Sequence, residues 1–500
     1  MALSGENGPE WVAAFFGIVS LGAIAVPLDP QLAPPELQRV LAHTRARGLI
    51  ASDWILARAA SGEMPAMALS LAAVGALDPV AAASGPQSLA AAPGAESPPC
   101  ARTVAGSDEA AAILCTSGTG GDPRGVVLSH GNLLANTAAI AQVLYVKPGD
   151  VLGSLLPLNH AYALVCSLMA LVSGVPLAFA DSLRPDVVSR TLVEARVTLL
   201  PAVPLVLDHL ARAVQEGIAA QPPIRRWIAR RSVQVASWLR DRFGVRPARI
   251  LCAPILARLG PIRGIVVGGA ALRPEPVLAL RALGIAIAHG YGLTEASPVV
   301  TLTPGNWRPG DGVGLPLPGV AVRIADVDVE GFGEVLVKGR NVMRGYLDDA
   351  AATAAVLGDG WLATGDLGCF DARGYLHLSG RKKNVIVLAS GKNVYPEELE
   401  AHYGASPLLA QICVVAAQDD AGAEIPLGIL VPSQAALAED QDPEALDHLL
   451  AQELARLSVG LADHKRLKKF EVQREPLPLT PSHKIRRHLV RSDHLGAGNL

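Results

Sequence analysis

The sequence predicts an α/β protein: a large N-terminal domain of βα-type sheets packed with helices plus a small β-subdomain, followed by a small α+β C-terminal domain. Three observations carry this reading. The chain has 500 residues, more than one ordinary hydrophobic core organises. Helix-period and strand-like runs alternate along its first part, the pattern of βα units and a largely parallel sheet. After Asp326 the pattern changes to short β-like runs with polar turns.

In chain order, "PEWVAAFFGIVSLGA" reads as helix, "IAVPL" as strand, "PPELQRVLAHTRA" as helix and "GLIAS" as strand. Residues 80–107, rich in Ala, Pro, Ser and Gly, read as a surface connection. The most apolar stretches, Val12 to Leu28 and Ala163 to Ala180, are broken by Gly17, Gly22 and Pro27 and by Gly174 and Pro176. They are predicted to be buried helix-turn-strand units, because a membrane span needs about 20 unbroken apolar residues. "GEVLVKG" and "GYLHLSG" are the β-like runs of the subdomain. From Lys382 a final unit has its own helix, "PEELEAHYGAS", and strand, "QICVVAAQ". The natural cut lies at Arg381 to Asn384, giving domains 1–381 and 382–500.

Composition excludes several classes. Half of the residues are hydrophobic and 18% are charged, which describes a globular chain. A net charge of -3, from 43 basic and 46 acidic side chains, supplies no bulk field for a nucleic-acid partner. Six cysteines are scattered without a CxxC pair, against both a zinc site and a disulfide framework. "MALSGENGPEW" lacks the basic region and cleavage site of a signal peptide, so a cytoplasmic protein is expected. Peripheral contact with the inner face of a membrane stays open, because "IRRWIARRSVQVASWLRDRFGVR" interleaves seven arginines with Trp227, Trp238 and Phe243. The plainer reading of that stretch is a solvated basic helix that packs its apolar stripe on the core.

The chemistry concentrates in "CTSGTGGDPRGVVLSH", Cys115 to His130. Its four glycines let backbone N–H groups curl round an anion, Thr116, Ser117 and Thr119 offer hydroxyls, and Arg124 adds a cation. This is phosphate-cradle chemistry, but no Gly-Lys-Ser/Thr follows at Walker A spacing, which disfavours a P-loop NTPase. A plain glycine turn between strand and helix explains the loop alone equally well. Four further segments weigh in: "GGAALRPEP" with Gly268, Gly269 and Ala270, "GYGLTEASP" with Tyr291, Thr294 and Glu295, "TGD" with Asp366 followed by Arg381, and "PLPLTPSHKIRRHL" with Lys484. His160 stands in "LLPLNHAYALV".

With these motifs in this order, the chain resembles the adenylate-forming superfamily of acyl-CoA and aryl-CoA synthetases, luciferases and peptide-synthetase adenylation domains. The resemblance runs from about Asn7 to about Arg491 and is most similar to the long-chain fatty acyl-CoA synthetase branch, partly through the insert-like segment Pro222 to Arg263. It implies activation of a carboxylic acid, expected to be a medium- or long-chain fatty acid, with ATP to acyl-AMP and pyrophosphate, then thioester formation with coenzyme A. Two other readings remain: an acyl-acyl-carrier-protein or fatty acyl-AMP ligase, and a catalytically impaired nucleotide-binding scaffold.

The resemblance assigns roles residue by residue. Thr116, Ser117, Gly118, Thr119, Gly121 and Arg124 would hold the phosphates, and Glu295 with Thr119 would hold Mg²⁺. Thr294 would donate to the α-phosphate, Tyr291 would stack on adenine, and Gly268, Gly269 and Ala270 would let adenine lie against backbone. Asp366 would take the ribose hydroxyls with Arg381 close by, and His160 would lie near the substrate carboxylate. Lys484 would bridge carboxylate and phosphate oxygens during adenylation. Lys383 would be the hinge of a mobile C-terminal lid, and Gly391 would line the pantetheine channel.

The plain alternatives are a helix-start acid for Glu295, a turn residue for Asp366, a core residue for His160 and a solvated basic tail around Lys484, where Arg486, Arg487 and Arg491 stand nearby. Ala161, Ala163 and Val165 would line either an acyl tunnel or ordinary core. The chain departs from the family pattern at Gly120 (usually Thr), Arg124 (usually Lys) and His483 (usually Gly). Relatives also carry several dozen residues before the segment that begins here at Asn7, which implies a missing strand and helix or a misplaced start.

Overall fold

The computed structural model describes the whole chain except residues 60–66, 76–105, 118–122, 181, 244–255, 306, 389–391, 419–423, 440–441, 480–484, 488 and 491–500. Most of the surface connection read at 80–107 therefore lies outside the described residues. The chain divides into two compact units, Met1–Arg323 with Leu336–Ala363 and Ala372–Leu376, and Ile324–Val335 with Thr364–Asp371 and His377–Leu500. The last crossing, at Leu376/His377, comes a few residues before the cut read from the sequence.

In the first unit the helix Pro9–Ser20 has Pro at its first turn, where a missing N–H costs nothing, and buries Trp11, Ala14, Phe15 and Ile18 at helical spacing. Three-residue strands β1 (Ala2–Ser4) and β2 (Val26–Leu28), β3 (Gly48–Ala51) and β4 (Met67–Ser70) form a parallel sheet in the order β2-β1-β3-β4. The helix Pro34–His43 buries Leu37, Val40 and Leu41. Both long apolar stretches resolve as expected into helix, turn and strand: Pro9–Ser20 then β2, and Ala161–Val172 then Leu177–Phe179. No helix of the described residues is long and apolar enough to cross a membrane.

Next, β5 (Ala110–Ser117) and β6 (Pro123–Ser129) pair antiparallel. A seven-stranded sheet follows, with β7 (Leu152–Ser154), β8 (Leu177–Phe179), β9 (Leu199–Ala202), β10 (Gly264–Val267), β11 (Ala286–Gly292), β12 (Val299–Leu302) and β13 (Leu315–Pro316) in the order β13-β12-β11-β10-β9-β7-β8. Strands β7 to β11 pair in parallel, and β12 and β13 close one edge antiparallel. The parallel expectation therefore holds for the centre and one edge of this sheet. Its core includes Leu200, Val267, Leu280 and Ile287, all fully buried.

The basic stretch forms the helix Pro223–Phe243, but its apolar side chains do not all pack inward. Val233 lies on the core, whereas Ile224, Trp227 and Val235 are exposed. Arg231 lies over the Trp227 ring, 5.7 Å from its centroid.

The second unit has a core of its own, with Tyr403, Val414 and Leu430 fully buried. Its helix Pro396–Tyr403 and strand Leu409–Gln418 coincide with the two elements expected there, and that strand pairs antiparallel with Glu424–Pro432.

At the amino ends of the parallel strands the buried Asp150 carboxylate is a clamp. Its Oδ1 accepts from Thr198 Oγ1 at 2.8 Å and Arg263 Nε at 2.8 Å, and its Oδ2 accepts from Lys147 N at 2.9 Å and pairs with Arg263 Nη2. Burial alone would raise this carboxyl, but Arg263, the Lys147 amide and Thr198 outweigh it and hold the pKa at about 2. Because the folded value lies below the unfolded one, the stabilisation is present above about pH 4 and is lost as the pH falls toward 2. Asp150→Asn is expected to cost about 2–3 kcal/mol at neutral pH and to lower the large unit's melting transition by at least about 2 °C. The variant should also lose less stability than the parent between pH 5 and 3. Calorimetry at the two pH values checks this, and equal acid sensitivity in both proteins would contradict the clamp.

Candidate active site

The glycine-rich loop is held at its two ends by the β5/β6 pair, in which Thr116 lies opposite Arg124 and Ser117 opposite Pro123. Gly118, Thr119, Gly120 and Gly121 lie outside the described residues. The glycine after Arg124 has a visible reason. A Cβ on Gly125 would stand 2.9 Å from Ile113 Cγ2 and 3.1 Å from Leu347 Cβ, so only glycine lets the segment Gly345–Leu347 run this close to β6. That approach is fixed by Leu347 N donating to Gly125 O at 2.7 Å, and it delivers Tyr346 beside Arg124.

The Arg124 guanidinium lies over the Tyr346 ring, 5.4 Å from its centroid. The Tyr346 hydroxyl donates to Glu295 Oε1 at 3.0 Å. Burial, and then the Glu295 charge, push the phenol well above its ordinary pKa, so it stays a donor. Glu295 is therefore not a solvated helix-start acid: it sits half-buried in a single 3₁₀ turn, Thr294–Ala296, with a fixed partner. The geometry also accounts for Arg at position 124, because a planar guanidinium spreads over an aromatic face as an ammonium does not.

Glu295 is positioned from below by two asparagines that sequence reading missed. On the helix His130–Val143, which follows β6, Asn136 is fully buried. It donates from Nδ2 to Val299 O at 2.6 Å and accepts from Val299 N at 3.1 Å, fixing the strand just after the turn. Asn132 donates to Arg340 O at 2.7 Å and Val342 O at 2.8 Å, and Met343 N donates to Glu295 O at 2.8 Å. The available signal was two amides four residues apart on the otherwise apolar "HGNLLANTAAIAQV", where burial requires partners. Tyr346 gave no such signal, since its partners are 51 residues away or further in sequence. Asn7 was also missed as an anchor: it donates to Leu156 O at 2.7 Å and accepts from Leu158 N at 3.0 Å, bracing the loop that leads to His160.

Gly268, Gly269 and Ala270 leave the carboxyl end of β10. Gly268 N donates to Ala202 O at 3.2 Å, while Gly269 and Ala270 are exposed. Buried His289 sits in the adjoining strand with its ring nitrogens 3.3 Å from Ala270 O and 3.3 Å from Gly312 O. Burial holds its pKa below the ordinary value. Tyr291 is buried two residues further on. Its neighbour Gly292 is required, because a Cβ there would fall 1.9 Å from Pro298 O. His160 is exposed at the N-terminus of the helix Ala161–Val172, so the core reading of this residue fails.

The second unit pairs the remaining described residues. Buried Asp366 receives Arg381, Nε to Oδ1 at 2.6 Å, while Thr364 Oγ1 donates to Val335 O at 2.8 Å and accepts from Asp366 N at 3.1 Å. Asp366 is thus a supported, buried carboxylate and not a plain turn residue. Lys383 has its pKa lowered, first by loss of solvent and then by Arg381 and Arg487. The alternative of a solvated tail does not describe Arg487, which is mostly buried against Glu397 and Glu400. Gly391 and Lys484 lie outside the described residues.

A hard carboxylate and a cation that share Tyr346, together with an exposed Gly-Ala backbone at the carboxyl end of a parallel strand, are groups that suit a nucleoside triphosphate with Mg²⁺. Fold and site define an adenylate-forming enzyme of the acid–CoA ligase class. The chain belongs to the AMP-binding enzyme family, whose model matches residues 1–347, and the AMP-binding enzyme C-terminal domain matches 398–484. It is 33% identical to the long-chain-fatty-acid–CoA ligase FadD15 of Mycobacterium bovis, over 81% of this chain and 69% of that protein. It is 31% identical to the feruloyl-CoA synthase of an Amycolatopsis species, over 98% and 88%. To the human long-chain-fatty-acid–CoA ligase 6 it is 34% identical over 65% of its length, and the match spans about half, 48%, of that relative. ATP-bound MatB from Rhodopseudomonas palustris superposes with a TM-score of 0.74 at 25% identity, over 99% of this chain and 88% of that one.

Tyr346→Phe removes only the donor to Glu295. The adenylation rate is expected to fall about 10-fold or more, with the melting temperature unchanged within about 2 °C. Pyrophosphate release at saturating ATP over a Mg²⁺ titration checks it, and a rate equal to the parent's would show that the hydroxyl does not position Glu295.

Proposed function

We propose that the protein activates a long-chain aliphatic carboxylic acid with ATP and transfers the acyl group to coenzyme A. The observation that carries the choice of acid is an apolar cavity of about 430 Å³ lined by Val188, Val206, Leu210, Val214, Ile218 and Leu259, with Arg225 and His209 also on its wall. This volume lies within the range of about 300–1,000 Å³ typical of small-molecule sites. Its main wall is the helix Pro204–Ala219, whose N-cap Val203 lies 4.0 Å from the Cβ direction of Gly269. The cavity therefore follows a helix that starts beside the Gly268–Ala270 loop, the arrangement a long tail needs when its carboxylate is activated there. Similarity to a long-chain ligase supports the same acid, and similarity to a feruloyl-CoA synthase makes aromatic acids the comparison to run.

In this reading Arg124 and the loop hydroxyls of Thr116, Ser117 and Thr119 bind the phosphates, and His160 faces the acid carboxylate. Glu295 and Thr119 hold Mg²⁺, which offsets charge on the phosphate oxygens. Tyr291, Gly268, Gly269 and Ala270 bind adenine, and Asp366 with Arg381 binds the ribose. Lys484 stabilises charge as the carboxylate attacks the α-phosphate and pyrophosphate leaves. Lys383 is the hinge that changes the lid between half-reactions, and Gly391 lines the path of the thiol.

The test is ATP-dependent pyrophosphate release over aliphatic and aromatic acids, with and without coenzyme A. Long-chain acids are expected to exceed aromatic ones by about 10-fold or more. Leu210→Trp, which fills the cavity, should shift the preference toward shorter acids. Preference for aromatic acids would overturn the choice of substrate, and no release with any acid would overturn the ligase reading. Coenzyme-A-independent release without thioester would point to a carrier-protein acceptor. Lys484→Ala is expected to slow adenylation by about 10²–10³-fold while sparing thioester formation from supplied acyl-adenylate.

A further inference from the structure

Three residues after Lys484, Arg487 enters a cluster that the nucleotide chemistry does not use. Its Nη1 donates to Glu397 Oε1 at 2.7 Å, and its Nη2 donates to both Glu400 oxygens at 2.5 and 2.6 Å. The two glutamates stand one turn apart on the same face of the helix Pro396–Tyr403. Each carries the connection further. Glu397 Oε1 also accepts from Asn384 Nδ2 at 2.6 Å, in the short turn that includes Lys383. Glu400 Oε1 accepts from Val414 N at 2.7 Å, in the strand Leu409–Gln418.

The flanks of residues 480–484 are closed as well. Leu479 and Ile485 form an antiparallel bridge, and Arg486 N donates to Pro478 O at 2.8 Å. Backbone pairing thus fixes where the segment enters and leaves, and Arg487 fixes its exit to a helix, a strand and the Lys383 turn. One side chain joins the exit from Lys484 to the Lys383 turn within a single compact unit. A cation with two carboxylates is also directional: a guanidinium fork that spans two acids one helical turn apart sets both distance and orientation.

We propose that Arg487 is a positioning residue for adenylation, holding the chain that follows Lys484 to Glu397 and Glu400 and, through Glu397 and Asn384, to the Lys383 turn. The proposal rests on the reading of Lys484 as the adenylation lysine. It predicts a loss confined to one half-reaction. The thioester step, in which Lys484 has no part, does not need this segment in register.

The experiment measures the two half-reactions of the full chain separately, as pyrophosphate release from ATP and acid, and as thioester formation from supplied acyl-adenylate and coenzyme A. Arg487→Ala should lower the first by about 100-fold, the loss a displacement of about 1 Å produces, and change the second by less than about 3-fold. Arg487→Lys keeps the charge without the fork and should recover part of the rate, and Glu397→Gln should give a smaller loss of the same kind. Combining Arg487→Ala with Lys484→Ala should add little to Lys484→Ala alone, as for groups acting in one unit. Equal losses in both half-reactions, or a double variant whose losses multiply, would overturn the positioning role and leave Arg487 as a fold contact. If Lys484→Ala itself leaves adenylation intact, the lysine assignment has failed. If it cripples adenylation while Arg487→Ala does not, only the present proposal has failed.

Discussion

The in-register parallel pairing of β9, β10 and β11 is the constraint on which the first unit depends. Leu199 and Ala286 both lie opposite Gly264, and Ala202 and His289 both lie opposite Val267. Equal register makes the carboxyl ends of β9 and β10 flush, and β11 runs on beside them to Gly292, where it pairs with β12. The carboxyl edge is where an open α/β sheet receives its ligand, because the departing loops and helix starts there present unpaired backbone groups. Asp150 holds the opposite ends together with a buried charge. One end of the strands is thereby fixed by electrostatics, which leaves the other to be built from glycines, short turns and exposed backbone.

Fixing Glu295 follows from the same economy of elements. A single 3₁₀ turn is too short to hold a carboxylate by its own hydrogen bonds, so its position comes from outside. Asn136 fixes the strand behind it, Met343 N binds its carbonyl, and Tyr346 holds one carboxylate oxygen. Tyr346 in turn depends on Gly125, since a side chain there would push Leu347 away from β6. The glycine that follows the glycine-rich loop thus serves the Glu295 carboxylate. Arg124 over the phenol ring places a cation against the same tyrosine whose hydroxyl holds the acid.

The architecture was legible where one short pattern decides one element. A helix-period apolar run marks Pro9–Ser20, and the strand-like runs "IAVPL" and "GLIAS" contain β2 and β3. Arg381 close to Asp366 was legible through the resemblance, and the structure pairs the two at 2.6 Å. Asn132, Asn136 and Tyr346 were not legible, because their meaning lies in distant partners, such as Val342 for Asn132 and Arg124 for Tyr346. Arg487 of "HKIRRHL" was illegible for a related reason. A basic run near a chain end has the composition of a solvated tail, and nothing local says that two glutamates almost 90 residues earlier will enclose Arg487.

That enclosure is expensive. Burial alone would raise Glu400 and lower Arg487, and mutual attraction reverses only the second of these: the arginine ends above its ordinary value, and the glutamate is still raised. Replacing such a cluster with well-packed apolar side chains typically costs nothing or stabilises a fold by about 1–4 kcal/mol. Stability therefore does not explain why a guanidinium and two carboxylates occupy this place in the small unit, which already has an apolar core around Tyr403, Val414 and Leu430. Apolar contacts are tolerant of sliding, however, and a fork between two acids is not. Geometry is the property this cluster supplies that an apolar patch would not, and it supplies it to the short turn Lys382–Asn384, through Asn384, and to the strand Leu409–Gln418.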